Sequence, residues 1–229
     1  MKHPLVFMFL SLHLVALDGQ SLQDSLLMHF RFDGDSLDSG PHQVAAAFED
    51  WTVPWPEPFT YAPDRFGVPD FAVAFHPPLH NHIDYVAADT TLLYPDFPVT
   101  FASWMLMESH NTTNCFFHLN TSACFCSPHN EAFGGIWLEV RRNARKLSAG
   151  FGDGVNGYLL SHMRFREGTR ELALHTWYHV ATVVRGPDDI ELYVNGKNDC
   201  GSYYGTGDSL DYCDECSGAG LQQYHGSLS

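Results

Sequence analysis

The stretch that decides the fold is Trp177-Tyr-His-Val-Ala-Thr-Val-Val184, followed by Arg-Gly-Pro-Asp-Asp and then Ile190-Glu-Leu-Tyr-Val-Asn-Gly196. Two runs rich in β-branched and aromatic residues flank Gly186-Pro187-Asp188-Asp189. Proline presets φ for a turn, and the aspartates hydrogen-bond to nearby backbone, so the segment reads as a β-hairpin. Similar strand-like runs recur along the chain at 26–32, 71–75, 82–86, 99–107, 135–141 and 146–151, each bounded by Gly, Pro, Asp or Asn. Helical periodicity is nearly absent. Its one candidate, Glu167 to His175, is too short to build on. Many short antiparallel strands with long loops, no internal repeat and no break in composition indicate one all-β sandwich domain.

Composition sets the outer limits. The 229 residues include 17 Phe, 10 Tyr and 5 Trp, with 45% apolar overall, enough for a packed core. Twelve basic against 27 acidic residues leave a formal charge of −15, which repels nucleic acid and anionic membrane surfaces. Protonating all 14 histidines would by itself take −15 to −1, so the charge collapses under mild acid.

Residues 1–20 read as a secretory signal peptide. Lys2 precedes a mostly apolar run from Leu5 to Leu17, and small residues follow at Ala16 and Gly19. That run is too short to span a bilayer, and no other stretch reaches about 18 apolar residues. The competing assignment is a buried N-terminal strand or helix, to which His13 and the lack of a clean small-x-small cleavage pattern lend weight. Export places residues 21–229 in a secreted or extracellular setting with no transmembrane segment. Asn111-Thr-Thr and Asn120-Thr-Ser are N-glycosylation sequons in a polar loop. The six cysteines form two groups, Cys115, Cys124 and Cys126, then Cys200, Cys213 and Cys216. In an oxidising compartment they pair, and three per group requires at least one bridge between groups. The alternative is zinc held by Cys124, Cys126, Cys213 and Cys216, for which the one-residue gap at 124–126 is awkward.

The ordered set of segments resembles the concanavalin A-like jelly roll of the laminin-G-like family over residues 26 to 229. Phe32-Asp33-Gly34 is followed by Asp38-Ser39-Gly40, and Arg65-Phe66-Gly67 leads to a strand ending at Phe75. A Trp-bearing strand follows at Trp104, and Trp177-Tyr-His-Val180 then makes a hairpin with Leu192-Tyr-Val-Asn-Gly196. The resemblance implies an antiparallel two-sheet jelly roll with the 177–184 strand between those at 99–107 and 190–196. Those outer strands then end at the same rim, which carries both cysteine groups. It also implies a last strand beginning at Tyr224-His-Gly-Ser-Leu228, where the chain stops. A C-terminal strand cut short in this way leaves an open sheet edge, and an incomplete coding sequence is the favoured explanation.

Chemistry is sparse. Family glycanases carry a Glu-x-Asp-x-x-Glu strand, whose carboxylates lie about 5 Å apart for retaining chemistry. This sequence has none; Asp189-Ile-Glu191 comes nearest and lies at a turn. No Gly-x-Ser-x-Gly elbow or His-Glu-x-x-His helix occurs either. Asp33, Asp35 and Asp38 place three carboxylates in one tight segment, and the resemblance makes calcium a plausible cofactor there. A solvated turn with carboxylate-to-backbone hydrogen bonds is the plainer account. A second acidic patch comprises Asp208, Asp211, Asp214 and Glu215, and His76, His80 and His82 form a lesser candidate for a transition metal. Trp51, Trp55, Phe59 and Tyr61 alternate with prolines in a stiff extended segment suited to stacking on a sugar or docking a partner, or to lidding the core. The expectation is a secreted or cell-surface, non-catalytic recognition module for a glycan or an extracellular protein. The alternatives are a structural N-terminal module of a larger adhesion or receptor protein, and a secreted glycan-cleaving enzyme.

Overall fold

The computed structural model describes residues 26–35, 37–43, 45–47, 59–75, 83–86, 95–108, 114–119, 134–141, 144–153, 159–211 and 226–228. The signal peptide, Trp51, Trp55, Asn111, Asn120, His76, His80, His82, Cys124, Cys126, Cys213, Asp214, Glu215 and Cys216 lie outside the described residues.

All regular structure among the described residues is β, and the sheets are antiparallel. The strands are β1 Ala45–Ala47, β2 Phe59–Ala62, β3 Ala72–Phe75, β4 Ile83–Val86, β5 Val99–Leu106, β6 Asn114–Leu119 and β7 Gly134–Val140. They continue as β8 Lys146–Asp153, β9 Met163–Glu171, β10 Trp177–Gly186, β11 Asp189–Val194, β12 Lys197–Asn198, β13 Ser202–Tyr204 and β14 Gly226–Leu228. One sheet runs β1-β4-β14-β6-β7-β8-β9-β13, a second runs β12-β11-β10-β5, and β2 and β3 form a separate hairpin.

The deciding hairpin forms as its sequence requires. β10 and β11 meet across Pro187-Asp188, and β10 pairs on its other side with β5 from Trp177↔Leu106 to Val184↔Val99. The expected central place of this strand is therefore observed, and β5 and β11 end at the same rim. Asn195 and Gly196 turn the chain into β12 with φ of 52° and 72°. A tight hairpin turn of this hand needs positive φ at both central residues, which Asn and Gly tolerate.

Period-two alternation builds the core. Val180 and Val184 of β10 and Ile190, Leu192 and Val194 of β11 are fully buried. They pack with Ile136, Leu138 and Val140 of β7 and Leu147, Ala149 and Phe151 of β8 in one cluster between the two sheets. Phe97 meets Phe151 edge-on, with ring centroids 4.9 Å apart.

At four segments the structure revises or completes the sequence reading. The run 26–32 is not a strand: Asp33-Gly34-Asp35 bends the chain back on itself, leaving a single bridge between Phe30 and Asp38. The helical candidate 167–175 is instead the end of β9, held in extended form by pairing with β8 and β13, followed by a turn. Asn114–Leu119, read as part of a polar loop, is a strand paired with β7 and β14. Gly226–Leu228 forms β14 between β4 and β6, paired along Ile83 to Tyr85 on one side and with His118 and Leu119 on the other.

The register also constrains the cysteines. Cys115 stands opposite Glu139, Glu139 opposite Ser148, Ser148 opposite Glu167, and Glu167 opposite Ser202. Four inter-strand steps put Cys115 about 19 Å from Ser202. Cys200, two residues earlier, is beyond the roughly 7 Å that a disulfide with Cys115 tolerates. Among the described residues Cys200 forms no disulfide; its exposed thiol donates to Asn198 Oδ1 at 3.3 Å.

Candidate functional site

Side chains on β7, β8 and β9 alternate between the sandwich core and the opposite face of the eight-stranded sheet. Because Ile136, Leu138 and Val140 point into the core, Trp137 and Glu139 emerge on the opposite face. Pairing aligns this face in rows. One row is Trp137, Gly150, Phe165 and Tyr204; the next is Glu139, Ser148, Glu167 and Ser202.

The first row is aromatic. Trp137, Met163 and Phe165 form a buried cluster separate from the main core, and Tyr204 stacks on Phe165 with centroids 5.2 Å apart and planes 15° from parallel. The second row is polar. Arg141, just past the end of β7, places its guanidinium between the two carboxylates, Nε 3.8 Å from Glu139 Oε1 and Nη1 3.8 Å from Glu167 Oε2. It also lies over the Phe165 ring at 4.9 Å, within cation–π range. Ser148, between the two glutamates, is fully buried, and its Oγ has no hydrogen-bond partner among the described residues.

Burial pushes the Glu139 carboxyl above its ordinary range, Arg141 opposes the shift, and the like charge of Glu167 adds to it. On β6, Cys115 occupies the register position opposite Glu139. A carboxyl raised in the folded state holds its proton to higher pH than in the unfolded chain. Stability therefore falls as pH rises through that window and stays reduced above it. Glu139→Gln is expected to raise the melting temperature at pH 7 and to lose that advantage at pH 4. Equal shifts at both pH values would contradict dominance by burial.

The residues singled out in sequence are dispersed by comparison. Asp38 Oδ1 accepts from the backbone N–H groups of His29 (2.7 Å) and Gly40 (2.8 Å). Asp33 pairs with Arg31 at 2.9 Å, and Asp35 Oδ1 accepts from Leu37 N at 3.0 Å. Among the described residues no group of three or more His, Cys, Asp or Glu side chains is placed to hold a metal ion. Asp208 and Asp211 are exposed. Phe59 and Tyr61 belong to β2, opposite Phe75 and Val73, in a peripheral hairpin as their prolines demand. Partial burial and the negative charge of Asp35 push the Tyr61 phenol up. The hairpin's turn carries an exposed aromatic patch of its own: Arg65 lies 4.2 Å from the Phe66 ring and 4.3 Å from that of Trp104, which is 44% exposed.

Glu139, Ser148, Glu167 and Arg141 were absent from the sequence candidates. Their signal was the alternation of Gly-Ile-Trp-Leu-Glu-Val at 135–140, whose off-core residues are an indole and a carboxylate.

Two packed antiparallel sheets, with an aromatic and carboxylate-bearing face outside the core, define a lectin-like β-sandwich. A family model described as the concanavalin A-like lectin/glucanases superfamily matches residues 81–214, more than half of the chain, and the chain belongs to that superfamily. A search among curated proteins found no match. Among the described residues no helix is long and apolar enough to cross a membrane.

Proposed function

We propose that the chain is an exported, non-catalytic recognition module that binds a glycan or an extracellular protein through the outer face of the eight-stranded sheet. One observation carries this reading: the Glu139–Ser148–Glu167 row runs beside the Trp137, Phe165 and Tyr204 rings, on a face the sandwich core does not use. The exposed Tyr204 ring, backed by the buried Phe165 and Trp137 and set beside hydrogen-bonding side chains, suits a ligand with both polar and apolar surfaces. Export is supported by the apolar run 5–17, the sequons at Asn111 and Asn120, and the cysteine content. Against catalysis, Glu139 and Glu167 sit on strands separated by β8, about 10 Å apart at Cα. In the free chain the Arg141 guanidinium lies between their carboxylates, 3.8 Å from each.

The test is a glycan array probed with the full chain, with and without EDTA, in parallel with Glu167→Gln and Tyr204→Ala. Binding reduced about tenfold by either substitution supports the reading, as expected for loss of a charge-assisted hydrogen bond or an aromatic stack. Hydrolysis of an array glycan, abolished by Glu139→Gln, would replace it with an enzymatic one.

A further inference from the structure

We propose that the Glu139–Ser148–Glu167 row is a receptor for an arginine side chain of a protein partner, and that Arg141 fills it in the free chain as an internal surrogate. The inference rests on the recognition reading above and names the ligand chemistry for the same face.

Three observations lead there. Two glutamates flank one point on the sheet, with side chains only 19% and 16% exposed. A neutral ligand would leave both charges poorly compensated at that depth, whereas a cation matches them. Ser148 Oγ is completely buried between them and has no partner among the described residues, leaving its acceptor lone pairs open to a donor. A guanidinium presents five N–H donors in a planar fork, enough to reach two carboxylates and a hydroxyl together. The Phe165 ring beside the row already carries a guanidinium on its face, so the space accepts this group's size and plane.

The resident arginine is held loosely. Both Arg141–carboxylate contacts are 3.8 Å, beyond the 2.7–3.2 Å of a direct hydrogen bond, and its side chain is 42% exposed. It can swing outward while an incoming guanidinium approaches closely enough for charge-assisted hydrogen bonds. The formal charge of −15 favours the approach of a basic partner at long range.

The experiment uses the full chain and a fluorescent Gly/Ser peptide with one central arginine, compared with the same peptide carrying citrulline, an uncharged isostere. Anisotropy titrations are expected to show the arginine peptide binding at least tenfold more tightly. Arg141→Ala should tighten binding several-fold by removing the competitor. Glu167→Gln should weaken it about tenfold, and Asp208→Asn, which removes one charge from an exposed site, should leave it unchanged. Ser148→Ala should weaken binding while the melting temperature holds or rises, since its hydroxyl makes no bond in the fold.

Equal binding of the two peptides, no binding of either, weaker binding by Arg141→Ala, or equal losses from Asp208→Asn and Glu167→Gln would each overturn the proposal. If the peptides fail but an array glycan binds and is lost with Glu167→Gln, the cation receptor falls and the recognition face stands. If both probes fail and substitutions on the face are silent, the recognition reading itself falls.

Discussion

Asp199→Ala is expected to destabilise the fold by about 3–5 kcal/mol in chemical denaturation, the estimate for several lost hydrogen bonds to a charged group together with orphaned donors. Asp199 is 5% exposed and lies between β12 and β13, where the chain crosses from the four-stranded sheet to the edge of the eight-stranded one. Its Oδ1 accepts from Thr169 N at 3.1 Å, Thr169 Oγ1 at 2.8 Å and Arg170 N at 3.1 Å on β9. Its own N–H donates to Leu192 O on β11 at 2.7 Å. One residue thus joins the two sheets, its side chain bonded to β9 and its backbone N–H to β11. Gly168 makes room for it: a Cβ there would lie 2.2 Å from Asp199 Oδ2, so Gly168→Ala should reproduce much of the loss. Asp199→Asn keeps an acceptor and should cost distinctly less. A loss below about 1 kcal/mol for Asp199→Ala would mean that this crossover does not depend on the carboxylate.

Gly150→Ala is the second large effect, and its sign is diagnostic. At a permissive site, Gly→Ala stabilises by about 0.4–1 kcal/mol through the unfolded chain. At Gly150 an added Cβ would meet Phe165 Cβ at 2.4 Å, Arg164 O at 2.5 Å and Phe165 Cα at 2.8 Å. Two of these atoms are backbone, so β9 must move away from β8, and overpacking of this kind costs about 1–3 kcal/mol. The displaced strand carries Phe165 and Glu167, so the recognition face should suffer along with stability. Thermal melting and binding of the arginine peptide both report on it. An unchanged or raised melting temperature would show that β8 and β9 are not so closely packed.

Arg164 and Arg166 illustrate why parts of the molecule were illegible beforehand. Arg164 donates to Pro187 O at 2.8 Å and reaches Gly205 O and Asp188, while Arg166 donates to Ile190 O at 2.6 Å. Both guanidinium groups lie against the Tyr203 ring, at 4.8 and 5.2 Å. They tie β9 and β13 to the β10–β11 hairpin across the sandwich. Met163-Arg-Phe-Arg-Glu167 is not among the strand-like runs read from sequence, and the carbonyls its arginines use come from the facing hairpin and from Gly205, far along the chain. The acidic segment Asp33–Asp38 presents the opposite case. It drew attention as a cluster, yet each carboxylate serves a nearby backbone N–H or Arg31, the usual work of aspartate in a turn.

By itself the sequence determined the class of fold and the β10–β11 hairpin, because alternation and turn chemistry are local properties carried by adjacent residues; the central place of that hairpin's first strand was implied by the family resemblance. Tertiary structure alone decided the site. Glu139, Ser148 and Glu167 are separated by 9 and 19 residues along the chain, and they meet only because β7, β8 and β9 pair in one register. A slip of one residue would send all three into the core, so their meeting depends on long-range hydrogen-bond pairing that local sequence does not encode.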